Sequence, residues 1–165
     1  MTTAIYKEPV QGRVALRTLN FDGGRQAELR VNDGASKAVY CHPVAHYEYW
    51  KAELPGGGCR STASARTSRL SLVEDLVHIG DRFAVGSAEA MVTQPRLPCY
   101  KLGLRFESDE MVKRFLASRS TGFYLTVTRE SHVRTGDEMV MSRSEPLCSL
   151  PWITRLYATK KIQPR

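Results

Sequence analysis

Hydrophobic and polar positions alternate over much of the chain with a period of two, the pattern of half-buried β-strands. Gly86 and Ser87 interrupt one such stretch and suit the tight turn of a hairpin. The strands predicted from the pattern are residues 13–19, 38–41, 81–85, 88–93, 122–127 and 138–142. The chain is therefore predicted to be mainly β.

The pattern Val-x-x-Gly-Asp occurs twice, at residues 77–81 and 133–137. Glycine and aspartate are frequent in turns, because glycine accepts a positive φ and an aspartate carboxylate binds nearby backbone amides. Each Gly-Asp pair is predicted to turn the chain into a strand, with Asp81 and Asp137 shaping the two turns.

Apolar residues recur at helical spacing in two internal segments, residues 43–54 and 109–118. Ser108 is placed to cap the second of these helices. A third helix is predicted to start at Pro151. The apolar faces of the first two helices are Val44, Tyr47, Trp50 and Leu54, and Met111, Val112, Phe115 and Leu116. Short strands with two or three peripheral helices favour a closed β-barrel.

The bulk composition indicates one soluble domain with a core of its own. The chain has 165 residues, of which 42% are hydrophobic and 25% charged. No apolar run approaches the roughly 20 residues of a membrane helix, and the first residues do not resemble a secretory signal. We therefore expect a cytoplasmic protein without a membrane partner.

The net charge of +7 favours anionic partners, either nucleic acid or a phosphorylated small molecule. The basic residues are scattered and match no nucleic-acid motif, so nucleic acid is the less favoured partner. The four cysteines, Cys41, Cys59, Cys99 and Cys148, show no zinc-finger spacing and are predicted to be free thiols. His42 and His46 have the spacing of a metal pair, but surface histidines are the favoured interpretation.

The stretch QPRLPCYKL, residues 94–102, is the most unusual in the chain. Pro95 and Pro98 have no amide donor, which excludes them from the middle of a central strand. The chain is therefore predicted to leave the sheet near Thr93 and to continue as a stiff loop.

Cys99 lies in this loop with a cation on each side. In an extended loop Lys101 shares its face, and Arg96 is close by. Nearby cations favour the thiolate, which is a nucleophile and a soft ligand for transition metals. Arginine and lysine also hold phosphate groups. The alternative interpretation is a buried, inert cysteine after a strand that prolines end.

The segment HIGDRFAVGSAEAMVTQPRLPCYKLGLRF closely resembles the core of MOSC-domain proteins, in particular their small bacterial stand-alone branch. The upstream segment LNFDGGRQAELRVNDGASKAVYCHPVAHYEYW and the downstream segments FLASRSTGFYLTV and VRTGDEM are similar to that branch as well. The resemblance covers about residues 10–141.

The resemblance implies a β-barrel that binds the molybdenum cofactor, a phosphorylated pterin with a dithiolene-bound molybdenum. Cys99 matches the cysteine that is the expected protein ligand to molybdenum. Arg96, Lys101 and Lys37 are the candidates for the pterin phosphate. Relatives reduce N-hydroxylated compounds, including hydroxylaminopurines, and a separate reductase would supply the electrons. Residues 1–145 would form the barrel domain and residues 146–165 the truncated start of a C-terminal helical extension.

The chain departs from the family pattern at Gly24, at Asn32-Asp33 and in residues 57–71. The family has a Gly-Glu-Asn motif where residues 57–71 read GGCRSTASARTSRLS. Permitted codons for residues 63–71 encode LGENLTTE in a shifted frame, which suggests a local frameshift. These departures favour a second interpretation, a non-catalytic or decayed carrier of the cofactor or its sulfur. A basic barrel that binds RNA is the third and least favoured interpretation.

Overall fold

The computed structural model describes residues 12–23, 34–54, 74–98, 102–103, 106–134, 136–143 and 148–150. The strands are β1 (Arg13–Leu16), β2 (Val39–Cys41), β3 (His78–Ile79), β4 (Arg82–Val85), β5 (Ala88–Pro95), β6 (Phe123–Arg129), β7 (Ser131–Arg134), β8 (Met139–Ser142) and β9 (Cys148–Ser149). The α-helices are α1 (Val44–Glu53) and α2 (Glu110–Ala117), and Gly34–Lys37 and Glu74–Leu76 form 3-10 helices.

Five strands form the main sheet, in the order β2-β6-β5-β4-β8, and every neighbouring pair is antiparallel. Its inward residues make the main core, in which Phe83 and Phe123 stack with ring centres 6.1 Å apart. The pairs β1-β7 and β3-β9 form two small sheets. The mainly β prediction is confirmed. Among the described strands no closed barrel is found, so closure stays a prediction.

The predicted hairpin is confirmed, because β4 and β5 pair on either side of Gly86 and Ser87. Gly86 has φ +58°, the left-handed region that glycine enters without strain. β5 extends two residues further than the predicted strand 88–93.

The prediction that the chain leaves the sheet near Thr93 is wrong by two residues. β5 continues to Pro95, which pairs with Phe123 of β6. Successive amides of a strand face opposite sides, and the next amide, that of Arg96, donates to Gly122 O of the β6 side at 2.8 Å. The Pro95 nitrogen, which carries no hydrogen, therefore faces away from β6. The described pairs between β4 and β5 end at Met91, so no β4 residue is paired opposite Pro95.

Both Val-x-x-Gly-Asp segments form the predicted turns, and the two turns have the same pattern of hydrogen bonds. The Asp81 carboxylate accepts from the His78 amide at 2.8 Å, and the Asp137 carboxylate accepts from the Arg134 amide at 2.9 Å. The glycines before the aspartates have φ +94° and +99°. The short strands β3 and β7, which the sequence pattern did not predict, lead into these turns.

The two internal helices are confirmed, with two corrections. Ser108 does not cap α2, since Asp109 occupies the cap position and no side chain binds an amide there. Val44, predicted on the apolar face of α1, is 46% exposed. Trp50 of α1 and Phe115 of α2 stack at 5.3 Å in a second apolar cluster that also holds Leu102 and Met111.

The end of the described chain packs on the main core. Leu150 is fully buried there, and its amide donates to Val77 O at 3.1 Å. The helix predicted from Pro151 and the altered residues 57–71 lie outside the described residues, as do Gly24, Asn32 and Asp33. The division at residue 145 stays a prediction. In the parts of the chain that are described, no helix is long and apolar enough to cross a membrane.

Candidate functional site

Three strands of the main sheet begin or end at one place. β2 ends at Cys41 and β5 ends at Pro95, and both residues pair with Phe123, the first residue of β6. The described chain beyond β5 starts here with Arg96, one of the residues singled out from the sequence. Tyr40 and Phe115 contact Arg96 at this place, and His42 contacts Tyr40.

Aromatic groups hold the guanidinium of Arg96. Its Nη1 donates to the Tyr40 hydroxyl at 3.2 Å, and its Cζ lies 4.6 Å from the centre of the Tyr40 ring. The same Cζ lies 5.5 Å from the centre of the Phe115 ring. A guanidinium within about 6 Å of an aromatic face is attracted by the negative face of the ring. Arg96 is therefore held at a fixed place although it is half-exposed.

Tyr40 connects Arg96 to the backbone of the neighbouring loop. Its hydroxyl donates to Thr121 O at 2.8 Å and lies 3.0 Å from His42 Nδ1. Burial raises the pKa of Tyr40, and the nearby Arg96 opposes that shift without cancelling it. The phenol therefore stays protonated at neutral pH.

Both histidines near Arg96 are neutral at neutral pH. Burial, then His46 and then Arg96, lower the pKa of His42 to about 3. Burial lowers the pKa of His46 to about 4. The prediction of surface histidines is therefore wrong, because the rings of His42 and His46 pack at 5.1 Å and His42 also meets Tyr47 at 4.8 Å. Among the described residues no group of three or more His, Cys, Asp or Glu is arranged to hold a metal.

Gly122 allows the strand ends to approach this closely. Its φ is +75°, and a Cβ at this position would overlap the Cys41 carbonyl oxygen. The same Cβ would lie 2.9 Å from Tyr40 Cε2 and 3.1 Å from His42 Nδ1, both closer than a normal contact. A side chain at residue 122 would therefore push apart the groups that hold Arg96.

Lys37, a second predicted phosphate ligand, is half-buried at the end of the 3-10 helix Gly34–Lys37. The Thr93 hydroxyl ties this helix to β5 by donating to Ser36 O at 2.7 Å, with Tyr124 O as a second acceptor at 3.1 Å. Thr93 precedes Arg96 closely in the chain. The structure therefore brings Arg96 and the helix of Lys37 to the same end of β5.

The other two predicted site residues, Cys99 and Lys101, lie outside the described residues. The described residues on either side of them share one neighbourhood. Arg96 lies over the Phe115 ring, and Leu102 belongs to the apolar cluster that contains Phe115. Nothing in the structure tests the roles predicted for Cys99 and Lys101.

Sequence reasoning missed Tyr40, Phe115 and Gly122 as members of this site. The sequence pattern places Tyr40 in a short apolar strand and Phe115 on the apolar face of a helix. The available signal was the segment AVYCHP, which ends a strand with a phenol and an imidazole directly before a helix.

Comparison with known proteins supports one family. The family model for the MOSC domain matches residues 28–140. The protein YflK of Bacillus subtilis (strain 168) is 35% identical over 155 residues, which are 93% of this chain and 70% of YflK. YiiM of Escherichia coli (strain K12) is 35% identical over 128 residues, which are 76% of this chain and 57% of YiiM.

A protein named Reductase from Gibberella moniliformis (strain M3125 / FGSC 7600) is 26% identical over 167 residues, but this chain spans only 30% of it. Among solved structures, YiiM of Geobacillus stearothermophilus superposes with a TM-score of 0.76 at 27% identity, covering 98% of this chain and 77% of YiiM. A second structure, of a hypothetical protein, has a TM-score of 0.79 at 24% identity and covers 98% and 75% of the two chains, which supports the fold alone.

Proposed function

Because the chain belongs to the MOSC-domain family, we propose that it binds the molybdenum cofactor and reduces N-hydroxylated compounds such as hydroxylaminopurines. The observation that carries this proposal is the position of Arg96, fixed by Tyr40 and Phe115 at the start of the segment that contains Cys99. The proposal includes a closed barrel, a cytoplasmic location and a separate reductase as electron donor.

The described residues suit the phosphate of such a cofactor. A guanidinium presents five N–H donors in a planar fork, which matches the oxygens of a phosphate group. Tyr40 and Phe115 fix the position of the Arg96 guanidinium, and Tyr40 and His42 carry no charge at neutral pH. The 3-10 helix that ends at Lys37 is tied to the same end of β5 by the Thr93 hydroxyl. We therefore assign Arg96 and Lys37 to the phosphate, and Lys101 with them from its place in the motif.

Cys99 would hold the metal as a thiolate, which the nearby cations Arg96 and Lys101 favour. The bound cofactor would supply two-electron redox chemistry at the metal. Conversion of N–OH to N–H consumes two electrons and two protons and releases one water. His42 and His46 do not supply these protons, because groups with pKa values of about 3 and 4 are already deprotonated at neutral pH.

The name of the Gibberella protein supports an oxidoreductase, although this chain spans only 30% of that protein. A second candidate function is a carrier that binds the cofactor without turning over. The observation that favours it is the sequence of residues 57–71, which lacks the family's Gly-Glu-Asn motif. Assay of metal-loaded protein with a hydroxylaminopurine and a reduced dye separates the two, since a carrier gives no N-reduced product.

Metal content tests the proposed binding. The parent, Cys99→Ala and Cys41→Ala are purified from a host that makes the cofactor, and molybdenum is measured by mass spectrometry. We expect near-stoichiometric metal in the parent and in Cys41→Ala, which loses a half-buried thiol that no role is assigned to. Cys99→Ala should lose the metal. Folded parent protein without molybdenum, or equal metal in all three proteins, would refute the proposal.

A further inference from the structure

We infer that Tyr40 and His42 are positioning residues for Arg96, which they hold in one orientation before any anion binds. The inference deepens the proposed function, since Arg96 is the proposed phosphate ligand. Neither residue is proposed to touch the substrate. Both would act through the guanidinium, by fixing where its N–H groups point.

The three neighbours of the Tyr40 hydroxyl determine its hydrogen bonds. A phenol hydroxyl donates one hydrogen bond and accepts two. Thr121 O, at 2.8 Å, can only accept, so it receives the Tyr40 proton. Arg96 Nη1, at 3.2 Å, can only donate. The remaining neighbour is His42 Nδ1 at 3.0 Å, and the only position left for it is that of a second donor.

His42 is therefore assigned as the neutral tautomer that carries its proton on Nδ1. Its low pKa, which burial causes, agrees with a neutral ring. The Nδ1 proton and the Arg96 proton both point at the Tyr40 oxygen. All the hydrogen-bonding capacity of that oxygen is then used, which leaves it one orientation.

The network rests on rigid parts of the fold. Thr121 is fully buried, and its carbonyl anchors the Tyr40 hydroxyl. The amide of Arg96 donates to Gly122 O, so the backbone of Arg96 is fixed to the same segment as the anchor of its side chain. Tyr40 itself is paired with Tyr124 inside the main sheet. Arg96 is thus held at its backbone, at its Nη1 and by the rings of Tyr40 and Phe115.

Fixing a long side chain before binding lowers the entropy lost on binding. An arginine side chain loses much rotamer freedom when it is ordered, and a ligand that finds it already ordered binds more tightly. Removing one hydrogen bond from such a network should weaken anion binding by roughly 3- to 10-fold. The effect should arise without loss of the fold.

The first test uses ligand-free protein and the side-chain nitrogen resonances of Arg96. A held guanidinium rotates slowly and gives separate Nη signals, whereas a mobile one gives averaged signals. Tyr40→Phe keeps the ring and removes the hydroxyl, so the Arg96 signals should average. Tyr49→Phe is the matched control, because Tyr49 is exposed on α1 and should leave the signals unchanged. Separate Arg96 signals in Tyr40→Phe would overturn the inference.

The second test concerns the tautomer of His42. An asparagine amide nitrogen stands near the place of Nδ1 and a glutamine amide nitrogen near that of Nε2, while both replacements remove the ring. His42→Asn should therefore keep the Arg96 signals separate, and His42→Gln should average them. A folded His42→Asn that averages them as fully as His42→Gln would contradict the assigned hydrogen bond.

The third test separates this inference from the proposed function. The dissociation constant of the purified cofactor is measured for the parent, for Tyr40→Phe and for Arg96→Gln. Weaker binding in both variants supports the inference and the proposed function together. Unchanged binding in Arg96→Gln refutes the role of Arg96 in the proposed function, while the signals of the ligand-free protein still decide whether Tyr40 and His42 position its side chain.

Discussion

Arg96 and Arg134 both lie where a strand ends, yet their surroundings differ in kind. Arg134 ends β7, and its Nε donates to the Asp137 carboxylate at 3.0 Å in an exposed turn. Arg96 follows β5, and it meets the Tyr40 hydroxyl and the faces of two aromatic rings. A carboxylate pairs with the first guanidinium, whereas a phenol hydroxyl and two aromatic rings contact the second.

The difference separates a structural arginine from a candidate binding arginine. The Asp137 carboxylate stabilises the turn by accepting a hydrogen bond from the Arg134 amide. The ion pair between the two side chains lies across the same turn. Around Arg96, Tyr40 and Phe115 orient the guanidinium through a hydrogen bond and their ring faces. Stabilising a fold does not require this arrangement, but binding an anion benefits from it.

The largest effect is expected at Gly122, which allows Tyr40 and His42 to approach Arg96. Gly122→Ala places a methyl group against the Cys41 carbonyl and the Tyr40 ring, in addition to a strained positive φ. The free energy of unfolding should fall by about 2–4 kcal/mol, the combined effect of overpacking and of φ strain. Urea denaturation measures the change.

Gly23→Ala is the control for this substitution. Its φ of +80° is close to that of Gly122, but nothing lies within 4 Å of the added methyl group. It should show the φ strain alone, about 1 kcal/mol. Equal losses in the two variants would mean that the close approach around Arg96 is not tight.

The second effect concerns the neutral state of His42. Its pKa is lowered from 6.5 to about 3 on folding, so the unfolded chain takes up the proton first as the pH falls. The stability is therefore full above pH 6.5 and declines toward pH 3. The contribution of one such group is about 1.4 kcal/mol for each pH unit in that window.

Urea denaturation between pH 7 and pH 4 measures this decline. His42→Asn should flatten the dependence on pH by about one proton relative to the parent. If stability depends on pH equally in the parent and in His42→Asn, folding does not lower the pKa of His42. That result would contradict the neutral ring assigned to His42.

The smallest effect is expected at the other arginine. Arg134→Gln removes an exposed ion pair but keeps the backbone amide that binds Asp137. Exposed ion pairs contribute little to stability, so the urea midpoint should hardly move. High salt should shift the urea midpoint of the parent no more than it shifts the urea midpoint of Arg134→Gln. A large destabilisation would show that Arg134 is more than part of a turn.

Local signals in the sequence predicted the parts of the fold that short-range physics determines. The Gly86-Ser87 hairpin and the Asp81 and Asp137 turns depend on residues within three or four positions, and all three are confirmed. The helices were found from their apolar spacing. The motif around Arg96 is recognisable because its prolines restrict the backbone, and its proposed role follows from the resemblance to the family.

The rest of the site depends on contacts between distant residues. Tyr40 meets the Thr121 carbonyl 81 positions away, and Arg96 meets Tyr40 from 56 positions away. No periodicity reports such contacts, so the sequence predicts only a strand residue at Tyr40 and a surface residue at His42. The extension of β5 to Pro95 was missed for a similar reason, because it depends on where a neighbouring strand stops.

The measurement that tests the central claim most directly compares bound cofactor in Arg96→Gln and Arg134→Gln, each against the parent. Both variants lose one positive charge and gain the same shorter, uncharged polar side chain. Pterin and molybdenum are quantified in protein from the same cofactor-producing host. The account predicts that Arg134→Gln retains the parent content and that Arg96→Gln loses most of it. Equal content in the two variants, with both proteins folded, would contradict the assignment of the site to Arg96.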